Sequence, residues 1–348
     1  MKSKGIVGYK EGKRSAARVV RAFVVYPEEK GVFFMKKLLA FGPLFIILAA
    51  FLWSLDGLLR VSLYSLPPIV VVFWEHFIGF LILLPVLLPK WKEVASIKPR
   101  VWGAFAWVTV LSSILGTVLY TAALGKVNFI QFSVVVLLQQ TQPLFVVLFG
   151  RLILKERIEK AFWPLLAVAL VGAYLVSFPA GWVNAATGAG TAIAALMAVG
   201  AAFSWGSSTA FSRYALVRLP SLVVTGLRFG LASILGIALV IVMGYQQQVA
   251  GITASQFWML VAIALSTGMV ALVIYYYGLK RTPARVSAIC ELTWPLSAVA
   301  LDYVYFHKTL TATQWIGAFL LMASIWRVSR MAKKAAMGSS NTRLTNLL

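Results

Sequence analysis

Glu75 and His76 are adjacent side chains in an otherwise apolar run that begins near Pro67 and ends near Leu88. They stand about eight residues into that run, roughly 12 Å along a helix. A carboxyl beside an imidazole can carry a proton and tune its release. Arg228 stands alone in a later apolar run, where its planar fork could grip a carboxylate or phosphate through two parallel hydrogen bonds. A third group combines amides with an acid. Gln139 and Gln142 share one helical face, with Gln140 turned about 100° away, and Glu291 occupies the matching place in a later segment. Pro143 follows Gln139 by four residues, and Pro295 follows Glu291 by four. A proline removes a backbone donor and frees the carbonyl four residues earlier, so both predict helix kinks with carbonyls open to a site. Trp53, Trp205 and Trp294 can stack on a flat ligand, or serve as packing and interfacial belt. Tyr275, Tyr276 and Tyr277 read as belt residues. The plainer alternatives are a salt bridge from Arg228 to Glu75 or Glu291 and hydrogen-bond glue between helices.

The segments that carry these residues are too apolar for a water-soluble domain. The chain has 348 residues, of which 61% are hydrophobic and 12% charged, with a mean hydropathy of +0.87. A soluble domain carries about 25% charged residues. About 20 apolar residues span a bilayer as a helix. Such runs fall near 42–59, 67–88, 102–121, 129–150, 162–179, 189–211, 220–243, 255–277, 284–304 and 312–328. Merging short neighbours would give nine spans instead of ten. A charged group at the bilayer centre costs about 2.5–3.5 kcal/mol on insertion scales, so Glu75, Arg228 and Glu291 should face a cavity or a partner.

The basic excess orients the spans. Lys and Arg number 32 against 10 acids. With ten spans and both termini inside, 28 cations fall in inner segments and three outside (Arg60, Lys126 and Lys308), leaving Arg228 within a span. Basic residues concentrate on the cytoplasmic side of membrane proteins, so this charge calls for no nucleic-acid partner and points to a plasma membrane. Cys290 is the single cysteine, which excludes an internal disulfide and a Cys-rich metal site. The chain has two histidines, no phosphate-binding Gly-x-x-x-x-Gly-Lys-Ser/Thr loop and no His-Glu-x-x-His, so neither ATP, a metal nor another cofactor is expected. No nucleophile–base pair for an enzyme can be assembled. Met35 precedes Lys36-Lys37 and the first apolar run. We read it as the true start, the alternatives for residues 1–34 being a basic surface arm or a targeting peptide.

The chain also repeats itself at an offset of 152 residues. Ala50-Phe51-Leu52-Trp53 meets Ala202-Phe203-Ser204-Trp205, Pro68 meets Pro220, and Trp163 meets Trp315. Thr141-Gln142-Pro143-Leu144 meets Thr293-Trp294-Pro295-Leu296, while Tyr120 and Leu124 meet Tyr275 and Leu279 at offset 155. Five spans per repeat is an odd number, so the second repeat must cross in the opposite sense. That is the inverted-repeat plan of alternating-access carriers.

These features resemble the EamA-type family of the drug/metabolite transporter superfamily. The resemblance rests on the Ala-Phe-x-Trp pattern of spans one and six. It rests also on Gln142-Pro143-Leu144-Phe145 through Gly150-Arg151-Leu152-Ile153-Leu154-Lys155-Glu156-Arg157-Ile158. It implies ten helices around a central cavity and export of amino acids or similar metabolites. Lys308 stands where the second copy of Glu156 would fall, and Phe73-Trp74-Glu75-His76 displaces the arginine expected in span two.

The expected fold is thus an all-α membrane protein of ten helices in two inverted five-helix repeats. Its parts are a basic tail (1–37), a first repeat (38–180), a second repeat (187–328) and a basic cytoplasmic tail (329–348). The expected function is proton-coupled export of a small metabolite by a monomer or homodimer in the lipid bilayer. The alternatives are exchange of anionic metabolites such as sugar phosphates and, more remotely, an enzyme acting on lipid-linked substrates.

Overall fold

The structure is a computed structural model that describes residues 41–63, 65–124, 138–177, 189–306 and 311–345. The basic tail 1–37 with Met35, the first part of the fourth predicted span, and Lys308 lie outside the described residues.

Every regular element among the described residues is helical. The first half begins with α1 (Gly42–Ser54) and, after a break at Leu55, the short α2 (Asp56–Arg60). Pro68 occupies the first turn of α3 (Pro68–Leu87), where its missing donor costs nothing. The short α4 (Trp91–Ala95) leads to α5 (Pro99–Trp107), which continues as a π-helix over Val108–Gly116 and then as α6 (Thr117–Leu124). The half closes with α7 (Gln142–Leu154) and α8 (Phe162–Ser177).

The second half opens with α9 (Ala189–Leu216) and α10 (Ser221–Val242). The short α11 (Gln246–Ala250) precedes α12 (Ala254–Leu265), whose N-terminus is held by a reciprocal cap between Thr253 and Gln256. Residues 266–268 interrupt the helix before α13 (Met269–Arg281). Leu292 separates α14 (Ala284–Glu291) from α15 (Thr293–Phe306), and α16 (Ala312–Thr345) is the last helix among the described residues. Residues 329–345 of the segment read from sequence as a basic tail are helical and continue α16. Its Ala, Met, Lys and Arg residues are all strong helix formers.

Among the described residues, four helical stretches are long and apolar enough to cross a membrane: Pro68–Ala95, Pro99–Tyr120, Ser221–Val242 and Ala254–Arg281. The apolar helices Gly42–Ser54, Gln142–Leu154 and Phe162–Val176 are shorter. Large apolar side chains stand bare on the outer surface, among them Leu196, Ile234, Val242 and Phe319. A soluble monomer rarely leaves so much apolar surface open, and a lipid environment covers it.

The helices pair across the two halves in a pattern that survives exchange of the halves. Helix α3 packs on α10, and α8 on α16. Helix α1 packs on α13, and its counterpart α9 packs on the α5–π–α6 stretch. Likewise α7 packs on α9, and α15 on α1. Glycines permit the closest approaches. A methyl group on Gly226 would lie 2.7 Å from Leu87, and one on Gly230 2.8 Å from Phe80. The Gly-x-x-x-Gly motif of α10 thus serves packing against α3 within the chain.

Candidate functional site

Three polar groups lie within this apolar framework, each bringing together residues from both halves. The first is centred on Glu291 at the end of α14. Its Oε2 accepts from Gln142 Nε2 at 3.0 Å, and Gln142 Oε1 accepts from Gln139 Nε2 at 3.0 Å. Its Oε1 accepts from Tyr275 and from Ser287, each at 2.7 Å. Tyr275 is also within 3.3 Å of Thr209, and its ring packs 5.0 Å from Trp53. Every hydrogen-bond partner of this carboxyl among the described residues is electrically neutral.

Local sequence explains why these groups meet. Residues 140–141 and residue 292 are turns rather than α-helix. Each break comes just before a proline: Pro143 lies in the first turn of α7 and Pro295 in the first turn of α15. Proline is tolerated in a first helical turn and disrupts a helix interior. The breaks place Gln142 at the start of α7 and Glu291 at the end of α14, and α7 and α14 pack together.

The second group surrounds Arg228 on α10. Its guanidinium donates to Ser113 at 3.0 Å, Ser112 at 2.9 Å and the Tyr276 hydroxyl at 2.8 Å. Tyr276 bonds onward to Ser212 at 2.8 Å. Ser112 and Ser113 come from the π-helical stretch. The salt bridge considered for Arg228 with Glu75 or Glu291 does not form; no acid lies within ion-pair distance among the described residues. The Ser112 carbonyl accepts from Trp205 Nε1 at 3.1 Å, and Trp205 packs 5.3 Å from the ring of Tyr120.

The third group holds Glu75, which is buried on α3. Arg60 donates to Glu75 at 2.6 Å and is paired as well with Asp56. Thr267, in the break between α12 and α13, donates to Asp56 at 2.6 Å. Glu75 also closes against Gly268, where a methyl group would lie 2.8 Å from its Oε1. His76 donates through Nδ1 to the Val72 carbonyl, 2.8 Å away, and its ring packs 4.8 Å from Phe229.

The predicted residues thus divide among separate groups. Gln139, Gln142, Glu291 and Trp53 converge, Arg228 and Trp205 share a second cluster through Ser112, and Glu75 belongs to an ion-pair group with Arg60. Trp294 is half-buried and shares no hydrogen bond or ring contact with these groups among the described residues. Tyr275 and Tyr276 are buried and hydrogen-bonded, which corrects their reading as belt residues. Their hydroxyls would be left without water inside the apolar core, so each takes a polar partner. Arg60, Asp56, Ser112 and Ser113 were not singled out as site residues from sequence. The adjacent serines within an apolar run, and the four-residue spacing of Ser287 and Glu291, were the available signals.

Glu156 forms a separate structural junction. It accepts from the Ala284 backbone at 2.7 Å and from the Arg285 backbone at 3.3 Å, and pairs with the Arg285 side chain at 3.4 Å. A carboxylate at a helix N-terminus meets unpaired donors and the positive end of the helix dipole. These contacts make Glu156 a structural ion-pair partner and helix cap.

Comparison with known proteins follows the same two-part plan. The family model described as the EamA-like transporter family matches twice, at residues 40–178 and 192–330, so the second match begins 152 residues after the first (residue 192 against residue 40). The chain is similar to a protein of Fusobacterium nucleatum named riboflavin transporter ImpX, with 35% identity covering 83% of this chain and 98% of that one. A riboflavin transporter of Rhizobium johnstonii is 26% identical, covering 81% and 89%. The pseudopaline exporter CntI of Pseudomonas aeruginosa is 32% identical across 41% of this chain and 48% of its own. A solved crystal structure shares the fold with a TM-score of 0.65 and 20% identity, over 84% of this chain and 98% of that one. With two matched repeats covering most of its length, apolar helices fit for a bilayer, and polar groups assembled between its halves, the chain belongs to the EamA-like transporter family.

Proposed function

We propose that this transporter has ten spans in two inverted five-helix repeats and moves a small, flat heteroaromatic metabolite of the riboflavin type by alternating access. The observation that carries the substrate reading is the Trp53–Tyr275–Glu291–Gln142–Gln139 constellation between the halves. Aromatic faces favour a stacked planar ring. Carboxamides offer adjacent donors and acceptors, which complement a ring edge that alternates carbonyl oxygens with an N–H. The names of two relatives support the same class. Exchange of the contacting helix pairs between halves supports the inverted arrangement.

Coupling to protons fits Glu291 better than Glu75. Glu75 is held by Arg60, whereas Glu291 has neutral partners and can exchange a proton without breaking an ion pair. Export into the medium, both termini in the cytoplasm and a plasma-membrane location complete the reading. A homodimer is compatible with it.

Arg228 favours a second reading. A guanidinium held by three hydroxyls, with no carboxylate beside it among the described residues, suits a metabolite carrying a carboxylate or phosphate. An amino-acid exporter or an anion exchanger would use it so.

Inverted membrane vesicles distinguish these readings. The measurement is accumulation of labelled riboflavin, amino acids and sugar phosphates, with and without a pH gradient. Gradient-driven riboflavin accumulation is the expected result. Accumulation of only amino acids or sugar phosphates would replace the flavin reading with the second one, and accumulation that ignores the gradient would remove proton coupling.

A further inference from the structure

We propose that a cavity between the ends of α7 and α9 binds the phosphate headgroup of an acidic phospholipid. The cavity measures about 370 Å³ and is lined by Lys155 from the first half and by Arg213 and Arg218 from the second. None of the residues lining this pocket is a hydrogen-bond partner of Glu291 or of Arg228 among the described residues.

Charge in the cavity is unbalanced. Arg213 has Glu156 at 3.8 Å, but that carboxylate is already engaged by Arg285 and two backbone donors. Neither Lys155 nor Arg218 has an acidic partner among the described residues. Arg218 is held in place by its own helix: its guanidinium lies 3.6 Å above the Tyr214 ring and donates to the Tyr214 carbonyl at 2.5 Å. Three cations against one shared carboxylate define a site for an anion, and a phosphate matches both the guanidinium fork and the ammonium.

The backbone adds an independent observation. Lys155 ends α7 in the left-handed region, at φ 53°, and is the one non-glycine residue with positive φ among those described. Glycine ends helices in this conformation at lower cost. A lysine kept here places a cation in the cavity at the expense of local comfort.

Apolar lining chooses between lipid and free phosphate. Ile153, Leu154 and Val217 complete the wall, and Leu152 and Val217 leave apolar surface open beside it. A headgroup among the cations would let its acyl chain follow that surface. Basic pockets between helices at a membrane face bind acidic lipid headgroups in this manner. Because the cations come from both halves, bound lipid would join them. The inference rests on the membrane setting and is independent of the transported substrate.

The test is thermal unfolding of the full chain in neutral detergent, with phosphatidylglycerol, phosphatidylcholine or inorganic phosphate added. Phosphatidylglycerol should raise the unfolding midpoint and the other two should not. Lys155→Gly suits the backbone and removes the charge, so it should unfold normally without lipid and require about fivefold more phosphatidylglycerol for the same rise. Lys155→Gln with Arg218→Gln should require about 30-fold more. An unchanged phosphatidylglycerol response in both variants would overturn the site. Equal stabilisation by phosphatidylcholine would do the same. A rise reproduced by inorganic phosphate would overturn the lipid assignment in favour of a soluble anion.

Discussion

The indole of Trp53 lies 5.0 Å from the ring of Tyr275, inclined at 53°. Trp205 lies 5.3 Å from Tyr120 at 58°. Trp205 is the repeat counterpart of Trp53, and Tyr120 that of Tyr275, so the two pairs are one arrangement built twice with the halves exchanged. A carrier that opens alternately to two sides needs such equivalent surfaces.

If these pairs are stacking platforms, Trp53→Ala and Trp205→Ala should each raise the transport KM about three- to tenfold, the range of an aromatic pair. Phe at either position should restore most of the affinity. Initial-rate uptake into proteoliposomes measures this, and unchanged KM in both alanine variants would remove the platforms from the binding site.

Glu291→Gln keeps the shape of the side chain and removes its proton exchange. We expect pH-gradient coupling to be lost while exchange of substrate persists. Glu75→Gln should instead weaken the protein through its broken ion pair. Joint replacement of Glu75 and Glu291 that leaves full coupling would reject both acids as proton carriers.

Arg60 offsets two carboxylates in a low-dielectric setting. Arg60→Met should destabilise the protein by about 3–5 kcal/mol, because an acid is left without its counter-charge. Adding Glu75→Gln should recover part of that loss. Thermal unfolding in detergent reads both effects, and strictly additive losses would show that Arg60 and Glu75 are not coupled.

Arg228→Lys retains the positive charge and loses the planar fork over Ser112, Ser113 and Tyr276. Transport should fall at least about tenfold if that geometry is used. Full activity in the lysine variant would show that charge alone suffices there.

Gly172 and Gly317 meet where α8 crosses α16, and a methyl group on Gly172 would lie 2.9 Å from the Gly317 carbonyl. Gly172→Val should cost about 1–3 kcal/mol by overpacking. A variant that melts like the parent would indicate that the two helices separate freely.

The apolar runs, the 152-residue repeat and the prolines beside Gln139 and Glu291 were legible because each is a pattern along the chain. Hydrophobicity over about 20 residues reports a bilayer-length helix, and proline limits the backbone wherever it stands. The kinship of Gln139 with Glu291 was also legible, because they hold the same place in the repeat. Partner choice was not legible. Glu75 could have met Arg228 or Arg60 on charge alone, and only the break at residues 266–268, the turn at Leu55 and the packing of α3 decided for Arg60. Tyr275 and Tyr276 read as interfacial until the α1–α13 contact buried them. Helix type and repeat are written locally in the sequence, whereas the pairing of buried polar groups depends on which helices touch, in what rotation and at what depth.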